Sequence, residues 1–446
     1  MNSNNKYLYW ITFIAINGGL LFGLNMAGIA GANDLIADDF SLSVSKLGTV
    51  ASFLMLGCLI GALFTGNFTD KYGRKKVMIT TAVLFIISSL GCAFATGFTM
   101  LTIFRVLSGL AVGATSVVAP MYISEISPAN KRGTLVSFNQ FAITIGIVLA
   151  YIFDYFLLDF SPESWRYMLA VPAVFATIYL ILLVVSFPES PRWLYSKGYK
   201  GKAHSVLCRI NGNSVSGELE EIEKSLAGEK NGEKISFGEL FKGRIGKVVI
   251  IGTLLAAFQQ ITGINAVIVF APDIFKGAGV GGDTALLQSM LVGVVNVLMT
   301  IVALWLVDKK GRKTLLLWGA VGMMIALAYL TFAFSGNELN STGLLLALLM
   351  YISFFAASYA PVMWVIISEI YPVKIKGLAM SFSTAVSWGC TFLTVYFAPI
   401  IRSELGDKYL FAIFGGFTLL AFIFVKIWIP ETKGKTLEQI EKEMNL

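Results

Sequence analysis

The sequence predicts an all-α membrane protein: twelve transmembrane helices in two pseudo-symmetric six-helix bundles. Three observations predict it. Apolar stretches of spanning length recur from end to end, basic residues gather on one side of them, and the same motifs are written twice. The chain is 56% hydrophobic and 14% charged, with a mean hydropathy of +0.75, which excludes an ordinary water-soluble domain.

A hydrocarbon layer about 30 Å thick is crossed by roughly 20 helical residues. Windows 8–31, 47–67, 77–96, 100–123, 134–157 and 166–187 meet that length in the first half, and 248–270, 285–307, 314–334, 343–367, 378–400 and 409–429 in the second. They are numbered here as spans 1 to 12. Span 1 is of full length and lacks a small-residue cleavage site, so it is read as a span and not as a cleavable signal.

The connections carry the orientation. Most of the 34 Lys and Arg precede span 1, follow span 12 or lie in the even-numbered connections, as in Lys71, Arg74, Lys75 and Lys76. The opposite connections are poor in them, and the first holds Asp34, Asp38 and Asp39. Basic residues stay on the cytoplasmic side, so both termini and the long middle connection are expected there, in a cell (inner) membrane. The net charge of +7 is thereby a topology signal, and no nucleic-acid partner is expected. Cys58, Cys92, Cys208 and Cys390 have no metal-ligand spacing and read as small apolar residues, so metal is none.

The connections also carry the repeat. TDKYGRKK (69–76) after span 2 returns as VDKKGRKT (307–314) after span 8; SEISPANKRG (124–133) after span 4 returns as SEIYPVKIKG (368–377) after span 10. PESPRWL (188–194) after span 6 returns as PETKGKTL (430–437) after span 12. The near-constant offset makes the chain one six-span unit repeated. An even number of spans makes the halves parallel, related by an axis along the membrane normal. The expected division is a bundle over 1–187, a cytoplasmic linker with short helices over 188–247 (GELEEIEKSLAG among them), a second bundle over 248–430 and a tail over 431–446.

Charges at the helix ends of these motifs suggest a latch on the cytoplasmic rim: Asp70, Arg74, Glu125, Arg132, Glu189 and Arg192 in one half, Asp308, Arg312, Glu369, Lys376 and Glu431 in the other. Glu125 and Glu369 each stand seven residues before a basic side chain, Arg132 and Lys376, and are expected to bond to it across helix ends. Such pairs would be intact when the bundles touch at that rim and broken when they part.

In span 7, FQQITGINAV (258–267) sets three amides in an apolar setting. A buried amide without a partner costs on the order of 1–3 kcal/mol, so its partner is either protein or cargo.

Taken together, PESPRWL, the GRKK turn, RGTL, QQITGINAV and PETKGKTLEQIE resemble the sugar porter family of the major facilitator superfamily over nearly the whole chain. The resemblance implies the major facilitator fold, no cofactor, a small-molecule sugar as partner within the lipid bilayer, and function as a monomer. It places the sugar among Gln140 and Ile147 of span 5, Gln259, Gln260 and Asn265 of span 7, Asn296 of span 8, Trp364 of span 10, and Ser387 and Trp388 of span 11, with Phe22 of span 1 beside them. Family members usually have a longer amide where Ser387 stands, and a glycine at Ala360. The chemistry agrees: uncharged amides both donate to and accept from sugar hydroxyls, and indole faces suit sugar C–H surfaces. A phosphorylated or carboxylate cargo would call for buried cations.

Proton-coupled members carry an aspartate in span 1 near an arginine in span 4. In FGLNMAG (22–28) the matching position is Asn25, while the arginine remains as Arg105. An amide does not exchange protons near neutral pH, so facilitated diffusion of a neutral monosaccharide is favoured, with Arg105 bonded to Asn25 or to a backbone carbonyl. The alternative is proton symport through another acid, Asp34 first, with Asp154 and Asp273 also towards that side. A non-transporting sugar sensor is a remote alternative, because the chain ends soon after span 12. No nucleophile–base pair, metal cluster or phosphate-cradling loop points to an enzyme.

Overall fold

A computed structural model describes residues 3–128, 131–211, 215, 219, 222–223, 237–336, 340–372 and 375–433. The stretch 217–228 lies mostly outside these residues and the tail from 434 entirely so; the Asp308 side chain is also outside them. Among the described residues, twelve helices are long and apolar enough to cross a bilayer. Every expected window coincides with one of them, and most run past it at one or both ends, as Val44–Tyr72 does for span 2.

Two spans are broken. Span 7 runs Gly243–Ile261 and restarts as Ile264–Val269; span 10 runs Ser341–Ala357 and restarts as Tyr359–Ile370. Short helices Asn33–Asp39 and Ala271–Gly277 follow spans 1 and 7 on the face opposite the chain termini. That face is called the loop face below and the other the terminal face. Pro191–Ser196 and Lys200–Asn211 are the helices of the middle connection among the described residues, with a 3₁₀ turn at Phe237–Phe241. The Asn-Ser-Thr triplet at 340 serves as a helix cap: Asn340 Oδ1 accepts from the N–H groups of Thr342 (3.0 Å) and Gly343 (3.3 Å).

Packing repeats with the sequence. Spans 1 and 5, 2 and 4, and 3 and 6 pair in the first half; spans 7 and 11, 8 and 10, and 9 and 12 pair in the second. Across the halves, span 2 packs on span 11 and span 8 on span 5, as a twofold axis along the membrane normal requires. Small residues set the closest approaches: a Cβ on Gly57 of span 2 would lie 2.2 Å from the Val106 carbonyl of span 4. Large apolar side chains such as Phe332 and Val185 face outward, a surface suited to lipid and not to water.

Several hydrogen bonds join the halves on the loop face. Tyr151 Oη donates to the Ile268 carbonyl (2.6 Å), Asn33 Nδ2 to Asp273 Oδ2 (3.0 Å), and Lys276 Nζ pairs with Asp34 (2.6 Å). Gly48 of span 2 packs against Tyr396 and Pro399 of span 11 at the same level. The loop face is therefore closed.

Candidate functional site

The break in span 7 falls inside QQITGINAV. Gly263 has φ +100°, a left-handed conformation that side chains with a Cβ rarely adopt. A Cβ there would also stand 2.4 Å from the Phe414 ring. The turn leaves main-chain groups unpaired within the helix, and a buried tyrosine repairs one of them: Tyr351 Oη donates to the Thr262 carbonyl (2.9 Å).

The three amides of the motif form a relay around this break. Gln259 Nε2 donates to the Tyr359 and Ala360 carbonyls (2.9 and 3.3 Å) at the restart of span 10. Gln260 Nε2 donates to Gln259 Oε1 (3.0 Å) and to Ser387 Oγ of span 11 (3.1 Å), and Asn265 Nδ2 to Gln260 Oε1 (2.5 Å). Gln259 is 4% exposed and commits both amide hydrogens to backbone, so in this conformation it supports the two breaks. Gln260 and Asn265 are half-buried and keep unused capacity, notably Asn265 Oδ1 and its second N–H.

The Trp388 and Phe22 ring centroids stand 5.6 Å apart, so two of the expected sugar-site residues meet across the interface between span 11 and span 1. Ile147 is buried one helix away, where its backbone N would lie 2.7 Å from a Cβ on Gly23 of span 1. Among the described residues no side-chain hydrogen bond links Gln140, Asn296 or Trp364 to the amide relay. Gln140 and Trp364 are half-buried and Asn296 is 8% exposed.

Arg105 is buried and bonded to neutral carbonyls. Its Nη1 donates to the main-chain oxygen of Asn25 (3.0 Å) and its Nε to that of Val50 (3.3 Å), tying spans 1, 2 and 4 together. The Asn25 side chain turns back on its own helix, Nδ2 donating to the Leu21 carbonyl (2.9 Å). A small cavity with room for about one water lies beside them, lined by Asn25, Arg105, Ser89 and Ser108 among others. Asp34, the expected spare acid, is held in its surface ion pair with Lys276.

The rim charges pair differently from expectation. Glu125 bonds Arg74 (2.7 Å) and Ser190 Oγ, not Arg132, which is exposed at the first residue of span 5. Glu369 bonds Arg312 (3.0 Å) in place of Lys376, which is half-buried at the first residue of span 11. The reason is the turn glycine of each GRKK motif. Gly73 (φ +95°) and Gly311 (φ +88°) swing the following arginine under the end of span 4 or span 10. Glu189 accepts from the N–H groups of Arg74 and Lys75 (2.9 and 3.2 Å), and Glu431 from those of Arg312 and Lys313 (2.8 and 3.2 Å), so each caps the helix after its glycine. Asp70 adds a weaker contact to Arg74 (3.4 Å). Arg192 lies in the short helix Pro191–Ser196. These pairs each stay within one half, where they clamp the bundle.

The two clamps differ in burial. The Arg74 and Glu125 side chains are 9% and 8% exposed, those of Arg312 and Glu369 14% and 29%. Arg74→Ala is expected to destabilise by ~3–5 kcal/mol, the cost of stranding a buried carboxylate, and Arg312→Ala by distinctly less. Thermal melts of the purified variants in one detergent check the order; equal losses would contradict it.

The family described as sugar (and other) transporter matches residues 11–444. The chain is 37% identical to the D-xylose-proton symporter of Escherichia coli (strain K12), over 98% of this chain and 96% of that one. It is 37% identical to the glucose transporter GlcP of Staphylococcus epidermidis, over 99% and 97%. The inward open conformation of the xylose transporter XylE from E. coli superposes with a TM-score of 0.86 at 34% identity, covering 98% of this chain and 99% of that one.

Proposed function

The chain belongs to the sugar transporter family, and on that premise we propose that it carries a neutral monosaccharide, a hexose such as glucose or a pentose such as xylose, by facilitated diffusion. It is a multi-pass membrane transporter and not an enzyme. The basic residues of the terminal face support a cytoplasmic position for both termini. The half-buried amides Gln260 and Asn265, the Trp388 and Phe22 rings, and the absence of a cation among them suit an uncharged polyhydroxyl cargo bound between the bundles.

One observation carries the passive mode: the buried Arg105 is held by carbonyls, with the neutral Asn25 at the place where a carboxylate could trade its arginine for a proton. Labelled glucose uptake into proteoliposomes, with xylose, galactose and fructose as competitors, tests this. Uptake is expected to stop at equilibrium whether or not an inward proton gradient is imposed. Accumulation above equilibrium in the parent protein would overturn the passive reading and leave sugar transport standing. Asn25→Asp sets a carboxylate beside Arg105 and is expected to make uptake respond to the gradient.

A further inference from the structure

On the loop face the halves meet through amide and charged side chains. Asn33, fully buried after span 1, donates Nδ2–H to Asp273 Oδ2 (3.0 Å) and to the Val269 carbonyl (3.3 Å). Next to it Asp34 pairs with Lys276 (2.6 Å). Arg402, near the end of span 11, holds Asp407 of span 12 through Nε (2.5 Å) and Nη2 (3.5 Å), and at Asp273 its Nη2 meets the main-chain carbonyl (2.9 Å) and not the carboxylate.

Asp34, Asp273 and Asp407 thus share Lys276 and Arg402, and both cations are committed to the other two acids. Asp273 is the carboxylate left over. Its Oδ1 is buried with no donor, and so is Asn33 Oδ1 on the opposite half. The contact encloses two acceptors and lacks one hydrogen. The other acid close by is Asp154 of span 5, buried, whose Oδ2 accepts from the Gly31 N–H (3.0 Å).

A single proton on Asp273 would cancel the unpaired charge and supply the missing donor. We propose that Asn33 and Asp273 form a proton-binding site at the contact between the halves, filled when the loop face is closed and emptied when it opens. On opening, the carboxyl is hydrated and passes its proton to water; on closing, it takes one back. Burial, and after it the Asp34 charge, push Asp273 up to about 7, against the lowering effects of Arg402, Asn33 and Lys276. A hydrated aspartate titrates near ~3.9. The closed face is the tighter proton binder, so acid favours closure. The open-to-closed ratio falls by up to about tenfold per pH unit from pH ~7 towards pH ~4 and is level above ~7. This goes beyond the transport reading, since the site operates without sugar and without a gradient, in a passive or a coupled carrier alike.

The test uses spin labels at Phe160→Cys and Leu405→Cys, exposed loop-face positions in opposite halves, with the two cysteines that are not buried changed to alanine (Cys208→Ala, Cys390→Ala). Electron–electron distance distributions are recorded in sugar-free nanodiscs between pH 5 and 8.5. The short-distance population is expected to grow as pH falls below 7. Asp273→Asn, whose amide carries the missing N–H at every pH, is expected to stay short throughout. Asp273→Glu should retain a pH response, and Asp154→Asn should leave the parent's response in place. Distances in the parent that ignore pH, an Asp273→Asn protein that tracks pH as the parent does, or a response that vanishes in Asp154→Asn would each overturn the proposal. The short-distance peak itself reports that a variant is folded.

Discussion

Gly263→Ala is expected to abolish sugar exchange in proteoliposomes and to lower the melting temperature of the purified protein. Two costs add at this residue. A left-handed backbone with a Cβ costs roughly 1–2 kcal/mol, and φ at Gly263 is +100°. The new methyl group would also sit 2.4 Å from the Phe414 ring, an overpacking that costs about 1–3 kcal/mol in a filled core. The chain can escape both by continuing span 7 as an unbroken helix. It would then rotate Asn265 away from Gln260 and strand the hydroxyl of Tyr351, which bonds the Thr262 carbonyl. A variant with the parent's melting temperature and exchange rate would mean that the break in span 7 does not position the amides.

Gln260→Leu is expected to leave a folded protein that hardly binds sugar. Gln260 is the centre of the relay, joined to Gln259, Ser387 and Asn265. Leucine keeps the bulk but strands three polar partners, at a stability cost of about 1–3 kcal/mol. A site built to hydrogen-bond hydroxyls loses affinity steeply when a partner is removed, so sugar Kd should rise about 100-fold or more. Trp388 lies beside the relay's Ser387, and tryptophan fluorescence titrated with glucose and xylose reads the change. An unchanged Kd would place the sugar elsewhere, whereas a lost fold would show as a lost melting transition.

Much of the architecture is legible in the sequence because the bilayer imposes it locally. A span must be about 20 apolar residues, since no water is available to satisfy backbone groups within the membrane. The motif repeat then implies a repeat in packing, and the pairing of spans 1 with 5 and 7 with 11 follows it. Asn25 and Arg105 are equally plain: their residue types state that the buried arginine has no carboxylate at that place, and the arginine indeed turns to main-chain oxygens.

The partners of polar side chains are less legible. Seven residues separate Glu125 from Arg132, which made them a reasonable pair on paper, yet Glu125 binds Arg74 from another span. Nothing in QQITGINAV states that Gln259 also holds the restart of span 10 through the Tyr359 and Ala360 carbonyls. Tyr151 and Tyr351 carry a signal of their own, since a tyrosine within an apolar span has a hydroxyl that needs a partner, here the Ile268 and Thr262 carbonyls.

The sequence by itself determined the number of spans, their twofold repetition, the side on which positive charge gathers, and the neutral residue beside the buried arginine. Each follows from composition or spacing within one stretch of chain. Only the tertiary structure decided that Gly263 breaks span 7, that the rim charges clamp each half separately, and that Asn33 meets Asp273 from the opposite half. Those contacts join residues far apart in sequence through side chains whose directions depend on how whole helices rotate and cross. A burial cost states that a polar group must have a partner; the packed fold selects which one.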